Sequence, residues 1–184
     1  MNDTSDHDVT RSDTDDDAAR SRCHVALLEG HPVAFWTCPQ TDVTVRTTTE
    51  VPRAIAELAL ALAPDRLVVV GRSTGRSPVP YLDPAYRATT LLPDTQRSVL
   101  LGDRRTDHWV SRAHFTLRGA PNGGVVFTNG VPRAGGGVRS PLNGTWLVAP
   151  AERALEPGEE ILIACGAAVV IRLPNRCVLQ LKAW

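Results

Sequence analysis

From residue 98 onward the chain offers only short apolar runs, each cut off by turn-forming residues. The runs are Val99–Leu101, His114–Arg118, Val125–Thr128, Thr145–Val148, Glu160–Ala164, Ala167–Leu173 and Val178–Lys182, with Gly, Pro and Asn clusters between them. Strands of this length separated by turn chemistry predict a mainly β domain, a sandwich or barrel. No segment repeats another.

The first half is more mixed. His24–Leu28 and Pro32–Trp36 flank Glu29-Gly30-His31 and read as two strands joined by a tight turn. Val43–Thr47 alternates apolar and polar residues, the pattern of a half-buried strand. Residues 51–63 predict a helix: Thr49 can cap it, Pro52 suits its first turn, and Ile55, Leu58 and Leu62 share a face. Leu67–Val70 is a continuous apolar run closed by Gly71-Arg72, a buried strand. Residues 73–97 carry Pro78, Pro80, Pro84 and Pro93 without a clear period, which predicts a long inserted surface loop. Residues 1–21 hold seven Asp and almost no large apolar group. They cannot bury enough surface to offset the entropy of ordering, so a disordered acidic tail precedes one domain over 22–184.

Charge narrows the function classes. The chain has 20 Lys plus Arg and 20 Asp plus Glu. The tail is acidic, so the remainder is net basic, and Lys182 is its one lysine. Arginine presents a planar fork suited to phosphate oxygens, although coding bias also enriches it. Overall neutrality speaks against a protein held to nucleic acid by bulk charge. No apolar run has the length of a membrane-spanning helix. The chain starts acidic where a secretory signal would be basic and then apolar, so a cytoplasmic protein without membrane or nucleic-acid partners is expected. Cys23, Cys38, Cys165 and Cys177 form no Cys-x-x-Cys pair and no zinc spacing. Cys23 and Cys38 flank the expected hairpin, yet without export all four read as reduced thiols. No metal and no cofactor is expected.

Catalytic patterns are weak. Gly71-Arg72-Ser73-Thr74-Gly75-Arg76-Ser77 after an apolar strand suggests a phosphate loop. Such a loop needs a helix N-terminus beyond it, and Pro78 and Pro80 follow instead. Ser111 and His114 lie too close on one strand edge to aim as nucleophile and base, and no nucleophile elbow exists. No enzymatic activity and no catalytic residue is expected.

Three other segments combine into a site. Gly71-Arg72 ends a strand, Ser111-Arg112-Ala113-His114 opens one, and Leu142-Asn143-Gly144-Thr145 is a turn leading into another. Arg72 and Arg112 bring guanidinium groups, Ser111 a hydroxyl, and Asn143 an amide that both donates and accepts. Gly71 and Gly144 allow close or left-handed backbone. Together they suit a dianionic phosphate monoester and the peptide carrying it.

In this order the residues resemble the forkhead-associated domain family: Gly-Arg, then Ser-Arg-x-His, then Asn-Gly-Thr. Ala154–Ile163 resembles the family's closing hairpin. The likeness is good from about 98 to 173 and thinner from 23 to 72. The resemblance implies an eleven-strand β-sandwich whose loops bind phosphothreonine peptides. It implies that Arg72 contacts the phosphate, Ser111 hydrogen-bonds a phosphate oxygen and Asn143 holds the peptide backbone. Arg112 faces the ligand or braces a loop, while Gly71, His114, Gly144 and Thr145 shape the loops. The implied partner is a protein phosphorylated on threonine by a bacterial-type Ser/Thr kinase, with the chain's own Thr10 or Thr14 as further candidates. Trp109 either lines the groove or caps the core.

The departures are informative. Gly71 lies much farther from Ser111 than is usual in the family, which the insertion explains; the competing alignment uses Gly102-Asp103-Arg104 and loses the arginine. Leu142 stands where a hydroxyl residue usually helps bind phosphate, and Val148-Ala149 offers no second Asn. These changes leave open a degenerate scaffold that contacts protein without reading phosphate.

Overall fold

The computed structural model describes residues 21–29, 35–39, 57–64, 67–72, 95–101, 108–133 and 136–184. It is mainly β. The strands are β1 (Ser21–Glu29), β2 (Phe35–Pro39), β3 (Glu57–Leu62), β4 (Leu67–Gly71), β5 (Thr95–Leu101), β6 (Phe115–Gly119) and β7 (Val125–Thr128). They continue with β8 (Val131–Pro132), β9 (Val138–Arg139), β10 (Trp146–Ala149), β11 (Arg153–Ala154), β12 (Glu160–Ile163), β13 (Ala168–Arg172) and β14 (Val178–Ala183). One six-stranded sheet runs β11-β10-β13-β14-β1-β3, a second runs β12-β7-β6-β4-β5-β2, and β8 pairs with β9 as a separate ribbon.

Alternation explains the layering. In β14, Leu179, Leu181 and Ala183 are buried while Lys182 is exposed; in β1, Cys23 and Val25 are buried and Arg22 is exposed. The inward-facing apolar residues of the two sheets form one cluster. It joins Val25, Leu60, Leu62, Ile171 and Leu179 of the first sheet to Val68, Val70, Phe115, Leu117 and Phe127 of the second. Phe115 and Phe127 meet with ring centroids 5.1 Å apart. Packing of this kind is the dominant stabilising term.

β4 is buried on both faces. Val68 and Val70 enter the shared core, whereas Leu67 and Val69 join Ala113 and Val131 on the other side. That is why its sequence is an unbroken apolar run rather than an alternating one. It pairs antiparallel with β6 and parallel with β5. Parallel neighbours need a crossover of a dozen or more residues, which gives a topological reason for the long stretch between Gly71 and Thr95. Of the expected insertion, residues 95–97 belong to β5; residues 73–94 lie outside the described residues.

Two expectations are corrected. The helix expected over 51–63 is absent where the structure describes that stretch: Glu57–Leu62 is strand β3, paired antiparallel with β1 from Ala26↔Glu57 to Ser21↔Leu62. Glu57-Leu58-Ala59-Leu60-Ala61-Leu62 satisfies a period of two as well as a helical stripe. Pairing with β1 and burial of Leu60 and Leu62 override the helix propensity of Ala and Leu. The tight hairpin expected between residues 24 and 36 also fails, because β1 pairs with β14 and β3 while β2 pairs with β5 in the other sheet. Local turn chemistry permits a reversal but does not choose the strand's partner.

Ser21 belongs to the domain rather than to the tail, being buried with its Oγ donating to the Ala120 carbonyl at 3.1 Å. The expected Val43–Thr47 strand and the remainder of the tail lie outside the described residues. Cys23, Cys165 and Cys177 are free thiols, and burial pushes the Cys23 thiol up to about 12. Among the described residues no helix is long and apolar enough to cross a membrane.

The strand assignment of β3 has a direct consequence. Leu60→Ala should cost about 2–5 kcal/mol, as for other buried leucines. Ala59→Lys, on the exposed face, should stay within about 0.5 kcal/mol. Urea unfolding of the two variants checks this; equal losses would contradict the strand.

Candidate functional site

β4 delivers Gly71 and Arg72 to one rim of the second sheet, beside the segment that leads into β6. The approach is very close. A Cβ on Gly71 would lie 2.0 Å from the Arg112 carbonyl oxygen and 2.8 Å from that of Ser111. Only glycine fits there. The contact is latched on both sides: the Arg72 N–H donates to the Ser111 carbonyl at 3.1 Å and the His114 N–H to the Val70 carbonyl at 2.8 Å. Gly71-Arg72 and Ser111-Arg112, far apart in sequence, therefore share one edge. Residues 102–107, which carry the competing Gly-Asp-Arg alignment, lie outside the described residues.

The third segment is tied to the second. The Leu142 N–H donates to Ser111 Oγ at 3.0 Å, and Asn143 Nδ2 donates to the Trp109 carbonyl at 2.8 Å. Gly144 sits at φ +75°, in the left-handed region that the turn requires and that other residues rarely adopt.

Beneath the rim lies a buried polar chain. His114 is fully buried. Its Nδ1 accepts the Ser111 N–H at 3.1 Å, so Nε2 carries the proton and faces the Gly144 carbonyl at 3.1 Å and Thr145 Oγ1 at 3.0 Å. Thr145 Oγ1 in turn donates to Asn129 Oδ1 at 2.7 Å. Asn129 Nδ2 reaches the carbonyls of Leu155 and Glu156 at 3.1 and 3.0 Å. Three loops are thus joined through the buried side chains of His114, Thr145 and Asn129, whose polar groups are costly to leave unpaired. Burial holds the His114 imidazole down at about 4, against a partly offsetting hydrogen bond to the Gly144 carbonyl. It is a neutral structural group.

These segments enclose a cleft of about 120 Å³ whose lining includes Arg72, Ser111, Arg112, Leu142 and Asn143. All four side chains expected to bind ligand therefore line one space, while Gly71, His114, Gly144 and Thr145 do not line it and instead hold the segments that do. Trp109 resolves its two alternatives: it lines the cleft and is 53% exposed, so it does not cap the core. Arg72 is half-buried, with its Nε sealed from solvent. Among the described residues that line the cleft none is acidic.

Sequence reasoning missed Arg139 and Ser140, which also line the cleft, and the buried Asn129. Arg139 follows a glycine-rich stretch in the β8–β9 ribbon, and Asn129-Gly130 looks like an ordinary turn pair. Neither carries a local signal of its place at the rim. Comparison with family models, with curated proteins and with solved structures finds no match.

Two outcomes follow. Gly71→Ala should destabilise the protein by several kcal/mol, because the new methyl meets backbone rather than a yielding side chain; thermal unfolding measures this. The second concerns pH. The folded state lowers the His114 pKa to about 4, below the roughly 6.5 of an unfolded chain. The unfolded state therefore binds the proton first. This contribution to stability is whole above about pH 6.5 and declines, by up to about 1.4 kcal/mol per unit, as pH falls towards 4. Denaturant titrations between pH 6.5 and 5 should show a shallower decline for His114→Gln; an unchanged slope would contradict it.

Proposed function

We propose that this chain is a phosphothreonine-peptide-binding module of the forkhead-associated type, docking onto partners phosphorylated by a Ser/Thr kinase. The observation that carries the reading is the convergence of Gly71-Arg72, Ser111-Arg112 and Leu142-Asn143-Gly144 on one cleft. Two layered sheets with loops gathered at one rim are the kind of scaffold such recognition uses. No catalytic step is invoked. Recognition is by charge-assisted hydrogen bonds, which are stronger than neutral ones.

The internal bonds leave the required valences. Ser111 Oγ accepts from Leu142 and keeps its own proton to donate to a phosphate oxygen. Asn143 uses one amide hydrogen on Trp109 and retains a second hydrogen and its Oδ1 for a peptide backbone. Arg72 and Arg112 both line the cleft and supply positive charge there. Unphosphorylated threonine would desolvate these groups without satisfying them, which is the source of discrimination.

A second reading has its own support. Leu142 brings no hydroxyl, and its backbone already occupies part of Ser111; both suit a scaffold that contacts protein without phosphate. Binding to a degenerate phosphothreonine library and to its unphosphorylated twin separates the two. The phosphothreonine module retains the phosphorylated library, and Arg72→Ala weakens it about 10- to 100-fold, the size of a lost charged hydrogen bond. Equal retention of both libraries favours the scaffold. Affinity should also fall as pH drops below about 6, where the phosphate loses its second charge. His114, held at about 4, is still neutral there.

A further inference from the structure

The cleft has an apolar side as well as a cationic one. Leu142 is 90% exposed, yet its backbone is anchored to Ser111 Oγ at 3.0 Å. The next residue, Asn143, is anchored to the carbonyl of Trp109, whose half-exposed ring lies against His108 with centroids 4.7 Å apart. Trp109 and Leu142 both line the cleft that Arg72, Arg112 and Arg139 line. Single exposed leucines are common and mean little. Two large apolar side chains whose backbones are hydrogen-bonded at the edge of one arginine-lined cleft are not scattered, and their exposure is relieved only when something covers them.

The geometry points to Trp109 and Leu142 as a selectivity lip: the cleft takes a phosphothreonine segment of another protein whose residue beside the phosphothreonine is large and apolar. This rests on the phosphothreonine reading and adds the class of sequence that carries the phosphate. The occupant follows from complementarity. The guanidinium groups select the anionic phosphate, and the lip beside them selects an apolar neighbour over a charged one. Tryptophan suits such a role, giving a large contact area with little entropy to lose. Leu142 then has a use in the position where a hydroxyl residue would otherwise assist the phosphate.

The chain itself supplies a contrast. Thr14 is flanked by Asp13 and Asp15, whereas Thr10 follows Val9. If bulk charge chose the ligand, a phosphorylated Thr14 segment would be favoured; the lip disfavours it.

The test uses the full chain and fluorescence anisotropy with labelled phosphothreonine peptides that differ only beside the phosphothreonine, bearing Leu or Phe, Ala, or Asp. Unphosphorylated twins and phosphorylated Thr10 and Thr14 tail peptides complete the set. The expected result is about tenfold tighter binding of the Leu or Phe peptide than of the Ala peptide, the scale of partly covering two large apolar side chains. Trp109→Ala and Leu142→Thr should each bring that ratio close to one. Both side chains are exposed, so melting temperature checks that the variants stay folded. Phosphate-dependent binding with equal Leu and Ala affinities overturns the lip and leaves the phosphothreonine reading standing. Tighter binding of the Asp-flanked or Thr14 peptide does the same. Equal binding of phosphorylated and unphosphorylated twins overturns both.

Discussion

The seating of Gly71 against the Ser111–Arg112 backbone is the constraint on which the site depends. At that distance no side chain can intervene, so the end of β4 and the entrance to β6 behave as one piece of backbone. The paired bonds from Arg72 to Ser111 and from His114 to Val70 close the contact. Because β4 is buried on both faces and held between β5 and β6, the position of Arg72 is inherited from the core. A binding group carried on a rigid strand end loses less freedom when it meets a ligand.

The rim is held from below as well. The chain from Ser111 through His114 and Thr145 to Asn129 links loops that are remote in sequence. His114, Thr145 and Asn129 are buried, and each bond has a defined donor, with the His114 tautomer set by the Ser111 N–H. A charged imidazole would have to give up acceptance of that N–H, and burial opposes the charge in any case. Ser111 and Asn143 keep hydrogen-bonding capacity directed at the cleft, while the residues beneath them serve only geometry.

Much of the second half was legible in advance. Val125–Thr128 agrees residue for residue with β7, and the neighbouring runs agree to within a residue or so with β6, β10, β12, β13 and β14. These segments are short, alternating and punctuated by glycine, proline and asparagine, so local chemistry and tertiary packing ask for the same conformation. Arg72, Ser111, Arg112 and Asn143 could be singled out by their chemical types, and the structure gathers them at one cleft. The short strands β8, β9 and β11 were not, because two residues carry no period. The Ala-Leu stretch of β3 misled for the opposite reason: it carries two periods, and only its pairing with β1 decides between them.

What the amino-acid order determined alone is the local structure of most of the second half and the inventory of chemical groups: a β-rich chain, an unbroken apolar run for a doubly buried strand, and Arg, Ser and Asn side chains beside glycines at strand ends and turns. What tertiary structure decided is adjacency. It placed Arg139, Trp109 and Leu142 around the same cleft as Arg72 and hid Asn129 under the rim. It also sent β1 and β2 to different sheets. Propensity and periodicity act over a few neighbouring residues, whereas which strand lies beside which depends on burying the apolar faces of the whole chain at once, and no short segment holds that information.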